Sequence, residues 1–146
     1  MKKIKGNTWG VLIFSLFFLT NCSKNSNNNT DGPALFEQIA PEKSGVTFTN
    51  IVRDTRELNI LDYLYFYNGG GVAVGDVNND GLSDVFFVSN QQKNHLYLNK
   101  TKAGSGIKME DVSEKANIGG NANWKTGVTM ADVNGDGWLD IYVCAV

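Results

Sequence analysis

An all-β fold is what this sequence predicts, and three observations predict it. A nine-residue acidic segment, DVNNDGLSD at Asp76–Asp84, returns almost unchanged as DVNGDGWLD at Asp132–Asp140. Short runs of Val, Ile, Phe and Tyr flank both copies, and such side chains suit a pleated, half-buried surface. Gly, Asn and Asp separate the runs, and these are the residues that tight turns demand.

The stretch from Met1 to Cys22 reads as an export signal. Lys2, Lys3 and Lys5 give a positive start, and Val11–Leu19 is a nearly pure apolar run. That run is too short to cross a membrane, which needs about 20 apolar residues. It ends in Leu19-Thr20-Asn21-Cys22, which resembles the lipobox of bacterial lipoproteins, with Asn21 where Gly or Ala is usual. The resemblance implies that Cys22 carries the lipid and holds the exported chain to the bacterial outer membrane, on its periplasmic or surface face. The alternative is a plain secretory signal with an incidental cysteine. Residues 23–33 are polar and low in complexity, with nothing to build a core, and read as a flexible tether.

From residue 34 onward, strands are expected at Leu61–Tyr67, Val72–Val74, Val85–Ser89, His95–Leu98, Ile107–Val112, Lys125–Met130 and Ile141–Ala145. Ser113–Asn117 has room for one helical turn at most. Phe36–Ala40 weakly echoes Met109–Ser113, as if a similar strand entered each unit. Gly69–Gly71 opens no phosphate-binding pattern and reads as a tight connection between strands. Tyr63, Tyr65 and Tyr67 fall on one face of the first expected strand, better suited to packing between units than to stacking on a sugar. With Cys22 acylated no internal disulfide is available, so Cys144 is expected as a small buried hydrophobe.

The repeat extends beyond the acidic segments. Gly71–Asp76 aligns with Gly127–Asp132, and Val85–Val88 with Ile141–Cys144, at the same spacing that separates Asp76 from Asp132. A unit of strand, acidic loop, strand and second hairpin at that spacing fits a propeller or a solenoid.

Acids packed this closely repel one another unless a cation sits among them. Oxygen-bearing side chains recur at positions 1, 3, 5 and 9: Asp76, Asn78, Asp80 and Asp84, then Asp132, Asn134, Asp136 and Asp140. Position 7, Leu82 or Trp138, offers a backbone carbonyl. The donors are all hard oxygen with no His or Cys, which favours Ca²⁺ over zinc or copper; Mg²⁺ prefers fewer protein ligands. An EF-hand is excluded, because it needs a Glu at position 12 and helical flanks. Position 12 is Phe87 in one loop and Val143 in the other. The alternative is a pair of Asx-turns that bind no ion.

The stretches GVAVGDVNNDGLSDVFFVSN and GVTMADVNGDGWLDIYVCAV resemble FG-GAP or VCBS-type repeats, the calcium-binding blades of integrin-like β-propellers. NHLYLNK, MEDVSEKANIG and the run leading into the first loop are similar to a narrower set, the bacterial ASPIC/UnbV and cartilage-acidic-protein type. The resemblance covers about Phe36–Val146. It implies about two blades of a larger propeller across residues 34–146, with Ca²⁺ held at both acidic loops. A propeller closes with roughly 4 to 8 blades, and the chain reaches Val146 inside an apolar strand. The expectation is an N-terminal fragment of a longer protein, the alternative being several copies assembled into a ring.

Other function classes are set aside on the same residues. The net charge is −2 and no basic face with interleaved aromatics stands out, so nucleic acid is not an expected partner. His95, the one histidine, has no nucleophile motif to serve. The clustered acids already have metal-ligand roles, and an acid held ionised by Ca²⁺ is a poor general acid. The expected function is therefore a non-enzymatic, calcium-binding module that engages a protein or glycan ligand. The alternative is the non-catalytic propeller part of a larger exported enzyme.

Overall fold

The structure is a computed structural model that describes residues 34–146; the expected export signal and tether lie outside the described residues. Every element below belongs to the compact unit Gln38–Val146. A single helical turn, α1 (Pro41–Ser44), precedes the strands β1 (Val72–Gly75), β2 (Asp84–Phe87), β3 (His95–Asn99), β4 (Met109–Asp111), β5 (Lys125–Ala131) and β6 (Asp140–Ala145). The fold is all-β.

Four strands form one antiparallel sheet in chain order, β1-β2-β3-β4, and β5 and β6 form a second antiparallel pair. A four-stranded meander is the unit from which propeller blades are built. Its registers include Val74↔Val85, Val85↔Tyr97 and Tyr97↔Asp111. The pair β5–β6 repeats the first of them at the equivalent places of the second copy, as Met130↔Ile141.

Alternation along the strands decides what is buried. Phe86, Val88 and Leu96 lie on one face of the first sheet and are almost fully covered. Val128, Met130, Ile141 and Val143 of the second sheet pack against them. Main chains come close both within the first sheet and between the two sheets, and the glycine run is what lets them do so. A Cβ on Gly70 would lie 1.9 Å from the Val88 carbonyl oxygen, and one on Gly71 would lie 2.7 Å from the Val128 nitrogen. The tight connection expected there is present, and the Gly71 carbonyl accepts the Val88 N–H at 2.9 Å.

Asn90 fastens the same junction. Its buried amide donates to the carbonyls of Gly69 (3.0 Å) and Lys125 (2.8 Å), while its oxygen accepts from Asn50 at 2.6 Å. No sequence pattern pointed to this residue, because its partners lie 21 to 40 positions away.

Several expectations are corrected. Leu61–Tyr67 is not a strand but a series of turns. Asn59 explains the difference: its side-chain oxygen accepts the Leu61 N–H (2.9 Å), its amide donates to Asp62 (2.7 Å), and its carbonyl accepts the Tyr63 N–H (2.9 Å). Further turn bonds run from Phe66 to Tyr63 and from Asn68 to Tyr65. Local bonds of this kind compete with a ladder and here they win. The three tyrosines consequently share no strand face. Tyr63 meets the edge of Trp124, Tyr67 bonds Asp54, and the buried member of the run is Phe66, stacked on Trp124 at 4.9 Å.

Cys144 is exposed rather than buried. It alternates with Val143 along β6, and Val143 takes the covered face. Phe36–Ala40 contains no strand, β4 is shorter than the expected Ile107–Val112, and α1 was not foreseen. The signals for α1 were Pro41 at its first turn and Gly45 after its end, where φ is +84°.

Candidate metal centre

Each acidic segment is the connection of a hairpin, the first between β1 and β2 and the second between β5 and β6. Asn79 donates its side-chain amide to the Gly137 carbonyl at 3.2 Å, so the two loops touch. The ten residues singled out in the sequence thus gather at one edge of the paired sheets.

The loops fold by the same internal bonds. Asp76 accepts the N–H of Asp80 on one oxygen (3.1 Å) and of Gly81 on the other (2.8 Å). Asp132 does the same with Asp136 (3.2 Å) and Gly137 (2.9 Å), and adds Gly135 at 2.7 Å. Asn78 and Asn134 accept the N–H of Asp80 and Asp136, and each donates its amide to that same acid. Asp80 and Asp136 then accept the N–H of Leu82 and Trp138, both at 2.9 Å. Position 1 gathers the turn around itself because two or three backbone N–H groups point at one carboxylate.

This arrangement fixes where glycine is needed. Gly81 and Gly137 have φ of +85° and +87°, a conformation that costs most residues about 1–2 kcal/mol. Position 4 is also left-handed, occupied by Asn79 at +56° and Gly135 at +77°. Asn is one of the few side chains that adopt this region routinely.

Backbone N–H groups also set the charge at Asp132. The Gly137 N–H, ahead of a smaller opposing desolvation, and then those of Gly135, Asp136 and Asn134 hold its carboxyl below the usual carboxylate range. A carboxylate kept ionised in this way is ready for a cation. Lys100 stands 4.0 Å from Asp80 with both side chains well exposed, so its contribution there is small.

The closing acids at position 9 behave differently from the others. Asp84 is fully buried, its oxygens accepting the N–H of Val77 (3.0 Å) and of Asn99 on β3 (2.8 Å). Asp140 makes the first of these bonds, to Val133 at 3.1 Å, and remains partly exposed. Asn99 was not anticipated as part of the site, because only the pairing of β2 with β3 brings it there.

Among the described residues, no three His, Cys, Asp or Glu side chains stand together as a ready-made metal cage. The donor chemistry still fits a calcium-type ion, which takes 6–8 oxygens and draws them from amides and backbone carbonyls as well as carboxylates. Each loop supplies all three kinds of donor, and a carboxylate oxygen that accepts one N–H, as both oxygens of Asp76 do, keeps a second lone pair.

Residues 76–143 match the FG-GAP-like repeat family. The FG-GAP-like stretch begins at position 1 of the first loop and runs past the whole of the second. Cartilage acidic protein 1 of Xenopus tropicalis is 36% identical over 76 residues. That stretch is 51% of this chain and 11% of the relative, so the chain corresponds to about a tenth of that protein's length. No solved structure matches the chain.

Proposed function

We propose that the FG-GAP-like stretch is a calcium-stabilised binding module of the narrower ASPIC/UnbV and cartilage-acidic-protein type, exported and held to the bacterial outer membrane by a lipid on Cys22. The observation that carries the calcium reading is the near-identity of two oxygen-lined loops, one in each copy of the repeat, folded by the same bonds. Asp76, Asn78, Asp80, Asp84 and the Leu82 carbonyl would hold one ion. Asp132, Asn134, Asp136, Asp140 and the Trp138 carbonyl would hold the other. Bound Ca²⁺ supplies the positive charge that offsets repulsion among the acids. The chain's own part is to aim the oxygens inward, which the glycine and asparagine backbones at positions 4 and 6 make possible.

Extracellular calcium modules of this kind bind with Kd on the order of 10⁻⁴ to 10⁻³ M, so loop occupancy would follow external calcium. The module would act by binding a protein or glycan rather than by catalysis.

Trp138 provides the test. It lies at position 7 of the second loop, half exposed, close enough to pass excitation to a bound lanthanide. Terbium added to the full chain is expected to give tryptophan-sensitised emission that Ca²⁺ competes away and Asp136→Ala abolishes. Silence from a folded chain would mean the loops are bare turns. Metabolic labelling with a fatty acid, compared between the native chain and Cys22→Ser, checks the anchor: label on both proteins, or on neither, would end that part of the proposal.

A further inference from the structure

The sequence holds two Asn-Gly pairs, Asn68-Gly69 and Asn134-Gly135, and the structure treats them in opposite ways. Such a pair is able to react with itself. Glycine has no Cβ to shield its nitrogen and turns freely, so that nitrogen reaches the side-chain amide before it.

Asn134 is held against that approach. Its side-chain oxygen accepts the Asp136 N–H at 2.9 Å, its amide donates to Asp136 at 3.0 Å, and Asp132 takes the Gly135 N–H at 2.7 Å. The attacking nitrogen and the group it would attack are both fastened.

Asn68 has none of these restraints. It is exposed, and neither its side chain nor the Gly69 N–H bonds anything among the described residues. A Cβ at Gly69, where φ is +80°, would meet nothing within 4 Å, so this peptide has room to turn. What is fixed lies on either side of it. The Asn68 N–H donates to the Tyr65 carbonyl at 3.1 Å, and the Gly69 carbonyl accepts the Asn90 amide at 3.0 Å.

We propose that Asn68 is a site of spontaneous deamidation whose product loosens the junction that Asn90 fastens. The Gly69 nitrogen attacks the side-chain carbonyl carbon of Asn68 and gives its proton to water. The side-chain nitrogen leaves as ammonia, and a five-membered imide closes. Water then opens the ring at one of its two carbonyls. One opening leaves aspartate; the other leaves isoaspartate, in which the main chain runs through the former side chain. Isoaspartate adds a main-chain carbon between the two anchored groups. Gly70 and Gly71 lie too close to the Val88 and Val128 main chains to absorb it, so the bond from Asn90 to Gly69 gives way.

The test is to age the full chain in mildly alkaline buffer with chelator, digest it, and follow both asparagines by peptide mass and isoaspartate content. Asn68 is expected to convert roughly tenfold or more faster than Asn134, whose glycine nitrogen must first leave a charged acceptor. In urea the two should convert at similar rates, because both pairs are then free. The aged chain should melt roughly 4 °C lower, as loss of one buried hydrogen bond implies. Asn68→Gln should not show that loss on ageing, and fresh Asn68→Asp should melt like the native chain, since it lacks the extra carbon. Equal conversion of the two asparagines in the folded chain, or faster conversion at Asn134, would overturn the site. An aged chain rich in isoaspartate at Asn68 that melts unchanged would overturn the loosening of the junction.

Discussion

The loops at Asp76–Asp84 and Asp132–Asp140 share their residue types and nearly all their internal bonds, yet they differ in what lies beside them. The first belongs to a four-stranded sheet, and β3 completes the bonding of Asp84. Among the described residues the second belongs to a hairpin, and Asp140 keeps one oxygen without a backbone partner there. Among the described residues the same nonapeptide is therefore a buried structural joint in one place and a more open turn in the other. A carboxylate's role at position 9 depends on the neighbouring strand as much as on the loop.

Position 9 should show the largest difference. Asp84→Ala leaves the N–H groups of Val77 and Asn99 without their acceptor in a buried setting, and is expected to cost about 3 kcal/mol. Asp140→Ala should cost only about 1 kcal/mol, because water reaches the freed group. Urea unfolding of the two variants measures this, and equal losses would abolish the distinction. Both losses should already appear in chelator, since backbone bonds cause them, and calcium should enlarge each because a ligand is lost.

Position 5 tests the metal instead. Asp80→Ala and Asp136→Ala should each lose roughly 2 kcal/mol at calcium well above Kd and little in chelator. Thermal scans in both conditions check this; matching losses would show that the acids act without an ion.

The loop backbones should respond equally. Gly81→Ala and Gly137→Ala are each expected to cost about 1–2 kcal/mol through positive φ alone, since a Cβ at either meets nothing within 4 Å. A marked difference between the two would mean that one loop is less tightly formed than its bonds imply. Gly135→Asn should change stability by under about 0.5 kcal/mol, because both residues tolerate the left-handed region. Asn79→Gly should cost about 1 kcal/mol by removing the amide that reaches the Gly137 carbonyl.

The subtlest contrast concerns acid. Asp132 is held ionised below the usual carboxylate range, so its contribution is fully present above the ordinary value of about 4 and is lost as the pH falls through its lower folded value. Asp132→Asn should flatten the acid limb of a plot of Tm against pH. An unchanged limb would place the acid sensitivity elsewhere.

The sequence by itself determined the all-β class, six of the seven expected strands and the two equivalent loops. Each of these rests on interactions a few residues long: period-two alternation, glycine at positive φ, and carboxylates facing their own turn. The same local logic misled at Leu61–Tyr67, where aromatic alternation imitates a strand while Asn59 and the turn bonds hold the backbone otherwise. Tertiary structure alone decided the rest. Cys144 is exposed because only the Val143 side of β6 is covered, and Asp84 is buried because Asn99 arrives from β3. Asn90 became a clamp because Gly69 and Lys125 converge on it. For Asp84 and Asn90 the deciding partner lies 15 or more residues away, and a residue's own neighbours in the chain carry no signal of which strand will come to lie beside it.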